Sequence, residues 1–406
     1  MTPASLRSPR TWPWWAQVLV VAVAARVISA VIFLAVARTQ AATPWSDPSP
    51  GYLVFTGDMW DAGWYRSIAE EGYPTSLPRG GDGLVLQNAW AFFPLFPVLV
   101  RGISLLSGGT WTVIAPLLAT VLGLAAMLVV HQVVAHAMTR PAATGLDRSR
   151  RGARDLVPLL TVALLATSAS APVLQVAYTE SLALLLVSSV ILAVQRERYG
   201  AAAVLVVALG LTRAVALPMA VVVLAHAVAR WPGLAMRRRV GVVGLLALTV
   251  LSGFAWPAVV GRLTGVPDAY TLTQGAWRAR QEVVLLLPWL DVARWLLGAW
   301  GILALGVLVA TLVVTLASRP MRRLGPELLG WAIGYVGYLL VVVEPGTSLA
   351  RFAILAVPFW AALAQPVATS RHRGRAVAAL VVVGVLGQIA WIGLLWRLVP
   401  PSGWPP

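Results

Sequence analysis

Asp58 and Asp61 stand three residues apart in Gly57-Asp58-Met59-Trp60-Asp61-Ala62-Gly63-Trp64-Tyr65, the most polar and aromatic-rich stretch of an otherwise apolar chain. On a helical turn that spacing puts both carboxylates on one face, with Tyr65 a turn further on and Trp60 and Trp64 paired at i, i+4. A carboxylate beside an alcohol takes its proton as a general base, and an indole or phenol face gives a sugar ring a platform. The same residues suit a short solvated helix carrying an aromatic belt at a membrane edge. Asp58 has further roles open to it: binding a divalent ion such as Mg or Mn, orienting Asp61, or facing water. Taken alone, the residues fit each of these.

The elements that must position them lie in a membrane. Of the 406 residues 59% are hydrophobic and 11% charged, against roughly 25% charged in soluble domains, and the mean hydropathy is +0.80. The longest polar stretches, 38–89 and 137–155, are too short or irregular to fold alone, so one integral membrane domain over 1–406 is expected. The net charge of +16 comes entirely from arginine, with no lysine. Its clusters sit between apolar runs, which is the topology signal of the positive-inside rule and not a nucleic-acid footprint. There is no cysteine, and the four histidines have no ligand spacing, so neither disulfides nor a thiolate or HExxH metal site is expected.

Apolar runs of about 17–25 residues read as spans, here 16–37, 112–136, 156–172, 176–194, 200–229, 240–260, 294–317, 327–343, 352–368 and 376–398. Thr212-Arg213 and Pro218 split 200–229 into two half-spans, giving an all-α fold of about 11 crossings or membrane-dipping helices. The run 90–106, broken by Pro94 and Pro97, is expected to lie in the interface or re-enter. Arg7 and Arg10 before the first run suggest an uncleaved first helix. Alternating the crossings places most arginine clusters inside, with a cytoplasmic N-terminus and an outer C-terminus in the cell membrane. The large loop 38–111, which holds Asp47, Asp58, Asp61, Glu70, Glu71 and Asp82, then lies outside. Trp111, Trp231, Trp289, Trp331 and Trp396 near span ends read mainly as interfacial anchors, Gly330 and Gly334 as a helix-packing face, and 400–406 as an unstructured end.

Trp60-Asp61-Ala62, Tyr65 and Ile68-Ala69-Glu70-Glu71-Gly72-Tyr73, followed by Ala91-Phe92-Phe93-Pro94-Leu95-Phe96-Pro97, resemble the PIG-V family in order and approximate spacing. That family comprises membrane mannosyltransferases of the glycosyltransferase C superfamily, which take mannose from a polyprenyl-phosphate carrier. The resemblance implies that Asp61 is the catalytic carboxylate in the first outer loop, with Asp58 not required by the family pattern. It also covers an arginine in a transmembrane turn, here Arg213, although Ala214-Val215 depart from the usual residues. Tyr178-Thr179-Glu180-Ser181 and Arg351-Phe352 with Pro358 match further family segments.

Transfer of a sugar from a lipid phosphate to an alcohol needs a base, tolerance of oxocarbenium-like charge and a cation on the departing phosphate. One carboxylate suffices for a single inverting displacement. Asp61 is assigned as base, and Arg213 as phosphate cation, with snorkelling to headgroups as its alternative. Buried charge in an apolar run is costly, so Glu180 is expected to pair with Arg213. Arg351 is expected to contact the donor phosphate or to seal against Glu344, and Tyr65 and Trp64 to line the sugar. Glu70 and Glu71 read as a solvated face, and Arg26 is left unexplained, with pairing to one of these acids as the alternative. The implied partners are a polyprenyl-phosphate sugar donor, a lipid or glycan acceptor and membrane lipids. Alternative readings are another polyprenyl-linked sugar on the same fold, or a lipid or glycan transporter or flippase.

Overall fold

A computed structural model describes residues 12–139, 148–278 and 284–399. Arg7, Arg10, Arg140 and the proline-rich end 400–406 lie outside the described residues. Among those described the fold is all-α and no strand forms, though isolated bridges join Thr43 to Ser46 and Arg79 to Val85. In chain order the helices are α1 (Trp14–Ala37), α2 (Tyr52–Gly57), α3 (Asp61–Glu70), α4 (Leu95–Ser107), α5 (Trp111–Thr139) and α6 (Arg148–Thr167). Then come α7 (Glu180–Gln195), α8 (Tyr199–Gly210), α9 (Ala216–Arg230), α10 (Met236–Thr264), α11 (Ala269–Trp277) and α12 (Leu287–Leu297). The last are α13 (Trp300–Ala317), α14 (Arg319–Arg322), α15 (Gly325–Val341), α16 (Leu349–Phe352), α17 (Val357–Thr369) and α18 (Arg373–Trp391).

Six described helices are long and apolar enough to cross a bilayer, and the pair Leu349–Leu355 and Val357–Thr369, bent by 70°, makes up to seven. The protein is a multi-pass membrane protein. The larger count read from the sequence included shorter apolar helices such as α7 and α8, which have 16 and 12 residues. At about 1.5 Å per residue neither covers the roughly 30 Å hydrocarbon thickness alone.

The core is built around α7, which is buried along almost all its length. Its main neighbour α5 presents Ala115, Ala119, Gly123 and Ala126, all buried at i, i+3/i+4 spacing. Small residues on one face let helix backbones approach closely where lipid supplies no hydrophobic drive. A Cβ on Gly123 would stand 3.1 Å from the Leu174 carbonyl oxygen. Gly330 and Gly334 do the same for α15 against α9, where a Cβ on Gly334 would stand 2.6 Å from the Pro218 oxygen. By contrast α13 buries only Gly301 and turns the rest of its apolar surface outward, as a lipid-facing helix does.

Several expected spans shift for local reasons. The run 200–229 breaks as expected, between α8 and α9, and the run 352–368 bends at Ala356 beside Pro358. The run 294–317 becomes a hairpin, with Gly298 at φ 57° between α12 and α13. The run 156–172 ends early, since a 3₁₀ stretch at Ala171–Gln175 occupies the ground before α7. Arg26, on α1, serves that junction: it donates to the carbonyls of Ala166, at 2.7 Å, and Ala171. It meets no acid there; it caps the Ala166 carbonyl, which the end of α6 leaves without a helical partner, and ties it to the 3₁₀ stretch through Ala171. Trp111, Trp331 and Trp396 are not interfacial anchors. They are buried, with their indole N–H groups on the carbonyls of Gly57, Leu355 and Phe55.

Candidate active site

The Asp58–Asp61 segment is not one helical turn. Helix α2 stops at Gly57, Trp60 adopts φ 59° and ψ −127°, and α3 restarts at Asp61. This break corrects the expectation of two carboxylates on a common face and of Trp60 paired with Trp64. A non-glycine residue at such angles costs roughly 1–3 kcal/mol and persists only where its surroundings hold it. Here the start of α5 grips the turn: Trp111 Nε1 donates to the Gly57 oxygen at 2.8 Å, and Thr112 Oγ1 to Asp58 Oδ2 at 3.0 Å. Trp60 Nε1 donates to the Trp396 carbonyl at 2.6 Å, and the Asp61 N–H to the Tyr178 hydroxyl at 3.1 Å.

The two acids therefore face different partners. Asp58 is buried beside Thr112 and takes Arg66 Nη1 at 3.3 Å. Burial pushes its carboxyl above the ordinary range, opposed by the Thr112 hydroxyl and the Arg66 charge. Asp61 Oδ2 instead accepts from Arg351 Nη2 at 2.6 Å. Arg351 Nε stands 3.6 Å from Glu180 Oε1, and Arg213 Nη1 stands 2.6 Å from the same oxygen. The result is a chain of four charges, Asp61–Arg351–Glu180–Arg213, drawn from α3, α16, the first turn of α7 and the break before α9.

Each member is placed by local chemistry. Glu180 opens α7, where the helix dipole favours a carboxylate. Arg213 occupies the α8–α9 break, which is fixed from outside when the Leu95 N–H donates to the Leu211 oxygen at 2.9 Å. Leu95 belongs to the Phe92–Pro97 motif, so that motif reaches the charge chain through its backbone. Arg213 Nη1 also donates to Thr179 Oγ1 at 3.1 Å, and its guanidinium lies 4.5 Å from the centre of the Phe352 ring. Arg351 lies 4.8 Å over Tyr178 and 5.2 Å over Phe352. Its expected seal against Glu344 is not formed. Val342–Ser348 loops away, leaving Glu344 3.8 Å from Arg278, while α16 turns Arg351 inward. The side chains of Asp61 and Arg213 are 19% and 17% exposed and Glu180 1%, so the chain is open at its ends and sealed in the middle.

Aromatic side chains wall this chain. Tyr65 is buried, its hydroxyl 3.3 Å from Thr179 Oγ1 and its ring against Phe92, Phe96 and Tyr178. Burial raises its phenol to about 12, so it stays a neutral hydroxyl at physiological pH. Trp64 is half-buried, stacked on Phe92 at 6.0 Å and edge-on to Trp277 at 5.4 Å. Phe93 points elsewhere, into a second cluster with Trp256 and Tyr270. Glu70 and Glu71 are exposed as expected, Glu70 pairing with Arg66 at 3.0 Å.

The donor set does not fit a divalent metal. Among the described residues no three His, Asp or Glu side chains converge, and Asp58, Asp61 and Glu180 each face an arginine. The structure brings together Asp61, Glu180, Arg213, Arg351, Tyr65 and Trp64, each named from the sequence, and sets Asp58 apart on Thr112 and Arg66. Sequence reasoning missed Thr112, Trp277 and Trp396. Thr112 meets Asp58 across 54 positions and Trp396 meets Trp60 across 336, and no local pattern signals either contact.

No family model matches the sequence, and no curated protein matches it. Among solved structures the chain is similar to the oligosaccharyltransferase AglB from Archaeoglobus fulgidus in complex with an inhibitory peptide and a dolichol-phosphate. The identity is 14% over 97% of this chain and 57% of that one, with a TM-score of 0.47. It is also similar to an Archaeoglobus fulgidus oligosaccharyltransferase tethered with an acceptor peptide containing the NVT sequon. There the identity is 13% over 93% of this chain and 55% of that one, with a TM-score of 0.43. The chain thus spans little more than half the length of either.

Proposed function

We propose that this protein is a membrane glycosyltransferase of the glycosyltransferase C type, similar to the PIG-V family. It moves mannose from polyprenyl-phosphate mannose to a lipid or glycan acceptor at the outer face of the membrane. The observation that carries the reading is the convergence of Asp61, Arg351, Glu180 and Arg213, four charged groups from distant parts of the chain, beside an aromatic wall. A base next to two fixed guanidiniums is what displacement of a lipid phosphate requires.

In the proposed reaction the acceptor hydroxyl gives its proton to the Asp61 carboxylate as its oxygen attacks the anomeric carbon. The bond from that carbon to the phosphate oxygen breaks, and polyprenyl phosphate leaves with one more negative charge. Net charge in the site is unchanged; the negative charge moves from Asp61 to the phosphate. Arg351, 2.6 Å from Asp61, is placed to follow it. Arg213 supplies the second cation, and Glu180 keeps the two guanidiniums apart and partly neutralised. Trp64 and Tyr65 offer the sugar ring its apolar face. Attack opposite the leaving group inverts the anomeric centre, so no second nucleophilic carboxylate is needed.

The test is a donor panel: purified protein in lipid nanodiscs, given synthetic polyprenyl-phosphate mannose, glucose or arabinofuranose with membrane extract as acceptor. The expected result is mannosyl transfer with the product anomer opposite to that of the donor. Transfer of another sugar alone would move the donor assignment, and no transfer from any of them would overturn the enzymatic reading.

A further inference from the structure

After α18 the chain abandons α-helical winding. Ile392–Trp396 is a π-turn, closed by the Arg397 N–H on the Ile392 oxygen at 2.9 Å. Such turns are rare and concentrate at functional sites. Trp391 and Trp396 are five residues apart, about 1.4 turns of an α-helix but a single turn of i→i+5 winding. The π-turn thereby brings both indoles to one side, with ring centres 5.7 Å apart.

Trp396 is fully buried, its ring against Phe33, Phe55 and Tyr178. Its Nε1 donates to the Phe55 carbonyl at 2.9 Å. The last carbonyls of a helix lack intrahelical donors, and that of Trp396 takes the Trp60 indole N–H at 2.6 Å. Beyond it, Gln40 ties Leu398 in both directions, at 2.9 and 3.0 Å. Trp60 carries the strained backbone immediately before Asp61, and Tyr178 accepts the Asp61 N–H. Trp396 therefore holds two of the groups that place Asp61, Trp60 and Tyr178.

We propose that the π-turn is the clamp that keeps Trp60 in its strained conformation and so aims the Asp61 carboxylate, which makes Trp396 and Trp60 positioning residues. The inference rests on Asp61 being the base. Trp60→Phe keeps an aromatic ring at the turn while removing the donor to the Trp396 carbonyl and part of the packing on Trp45. Trp231→Phe, at an exposed indole, is the control.

Two readouts test the clamp, and one does not need turnover. Hydrogen exchange of the backbone amides of 58–65 should run about tenfold faster in Trp60→Phe than in wild type. In the sugar-transfer assay kcat should fall about tenfold to a hundredfold, since small misplacement of a reacting group is costly. The KM for the donor should stay within about twofold and the unfolding midpoint within about 2 °C. Wild-type exchange together with wild-type kcat would overturn the clamp, as would a kcat loss that only tracks loss of folded protein. If Asp61→Asn abolishes transfer while Trp60→Phe behaves as wild type, the clamp fails and the base stands. If Asp61→Asn transfers normally, the base assignment fails, and the exchange rates alone decide whether the clamp holds the turn.

Discussion

Glu180 has one oxygen facing two guanidiniums, 2.6 Å from Arg213 and 3.6 Å from Arg351, with its side chain 1% exposed. Removing its charge leaves buried Arg351 and half-buried Arg213 with only Asp61 beside them to balance the charge. Glu180→Gln should therefore lower unfolding stability in detergent by roughly 3–5 kcal/mol. Glu70→Gln, which breaks an exposed i, i+4 pair with Arg66, should cost roughly 0.3–0.5 kcal/mol. Comparable losses in the two variants would contradict the cluster. The Glu180–Arg213 pair was legible in the sequence because each residue alone is costly in an apolar run. The Asp61–Arg351 pair spans 290 positions and was not, since Glu344 lay nearer in the chain. Asp58 gives a pH test. Its carboxyl is raised by burial, so it binds its proton more tightly folded than unfolded. Stability is then fullest below the ordinary carboxylate value of about 3.9 and is lost as pH rises through the higher folded value. Asp58→Asn should flatten the unfolding midpoint across that window, and an unchanged slope would show that Asp58 does not govern it.

At the scale of elements, hydropathy located most helices and the arginine located the α8–α9 break, yet the joins were illegible. Periodicity sees side chains, whereas the joins are decided by backbone groups: Leu95 on Leu211, Arg26 on Ala166, Trp60 on Trp396. The turn at Trp60 is the clearest case, because i, i+3 spacing reads as a helix and only a positive φ breaks it. Helix packing was more visible, since Gly330 and Gly334 are spaced as a small-residue face. A side chain on Gly334 must displace the α9 backbone near Pro218. Gly334→Val should cost about 1–3 kcal/mol in detergent unfolding. Gly337→Val, where nothing lies within 4 Å, should be near neutral. If the two variants matched, the close α9–α15 approach would be wrong.

For the whole molecule, the proposed site on the outer face follows from the expected topology, in which the arginine clusters lie inside and the acidic first loop outside. The absence of cysteine makes that orientation simple to test. Ser76→Cys, on an exposed position of the first loop, should react with a membrane-impermeant maleimide on intact cells. His372→Cys, exposed beside Arg371 and Arg373, should react only after permeabilisation. The reverse pattern would place the site inside. The central claim is that Asp61 takes the acceptor proton, and one measurement addresses it most directly. Sugar transfer from synthetic polyprenyl-phosphate mannose is compared between wild type and Asp61→Asn, with equal membrane insertion of both established. A lost general base costs about 10²–10⁴ in rate, so transfer should fall at least about a hundredfold with the fold intact. Transfer in Asp61→Asn at the wild-type rate would contradict the account.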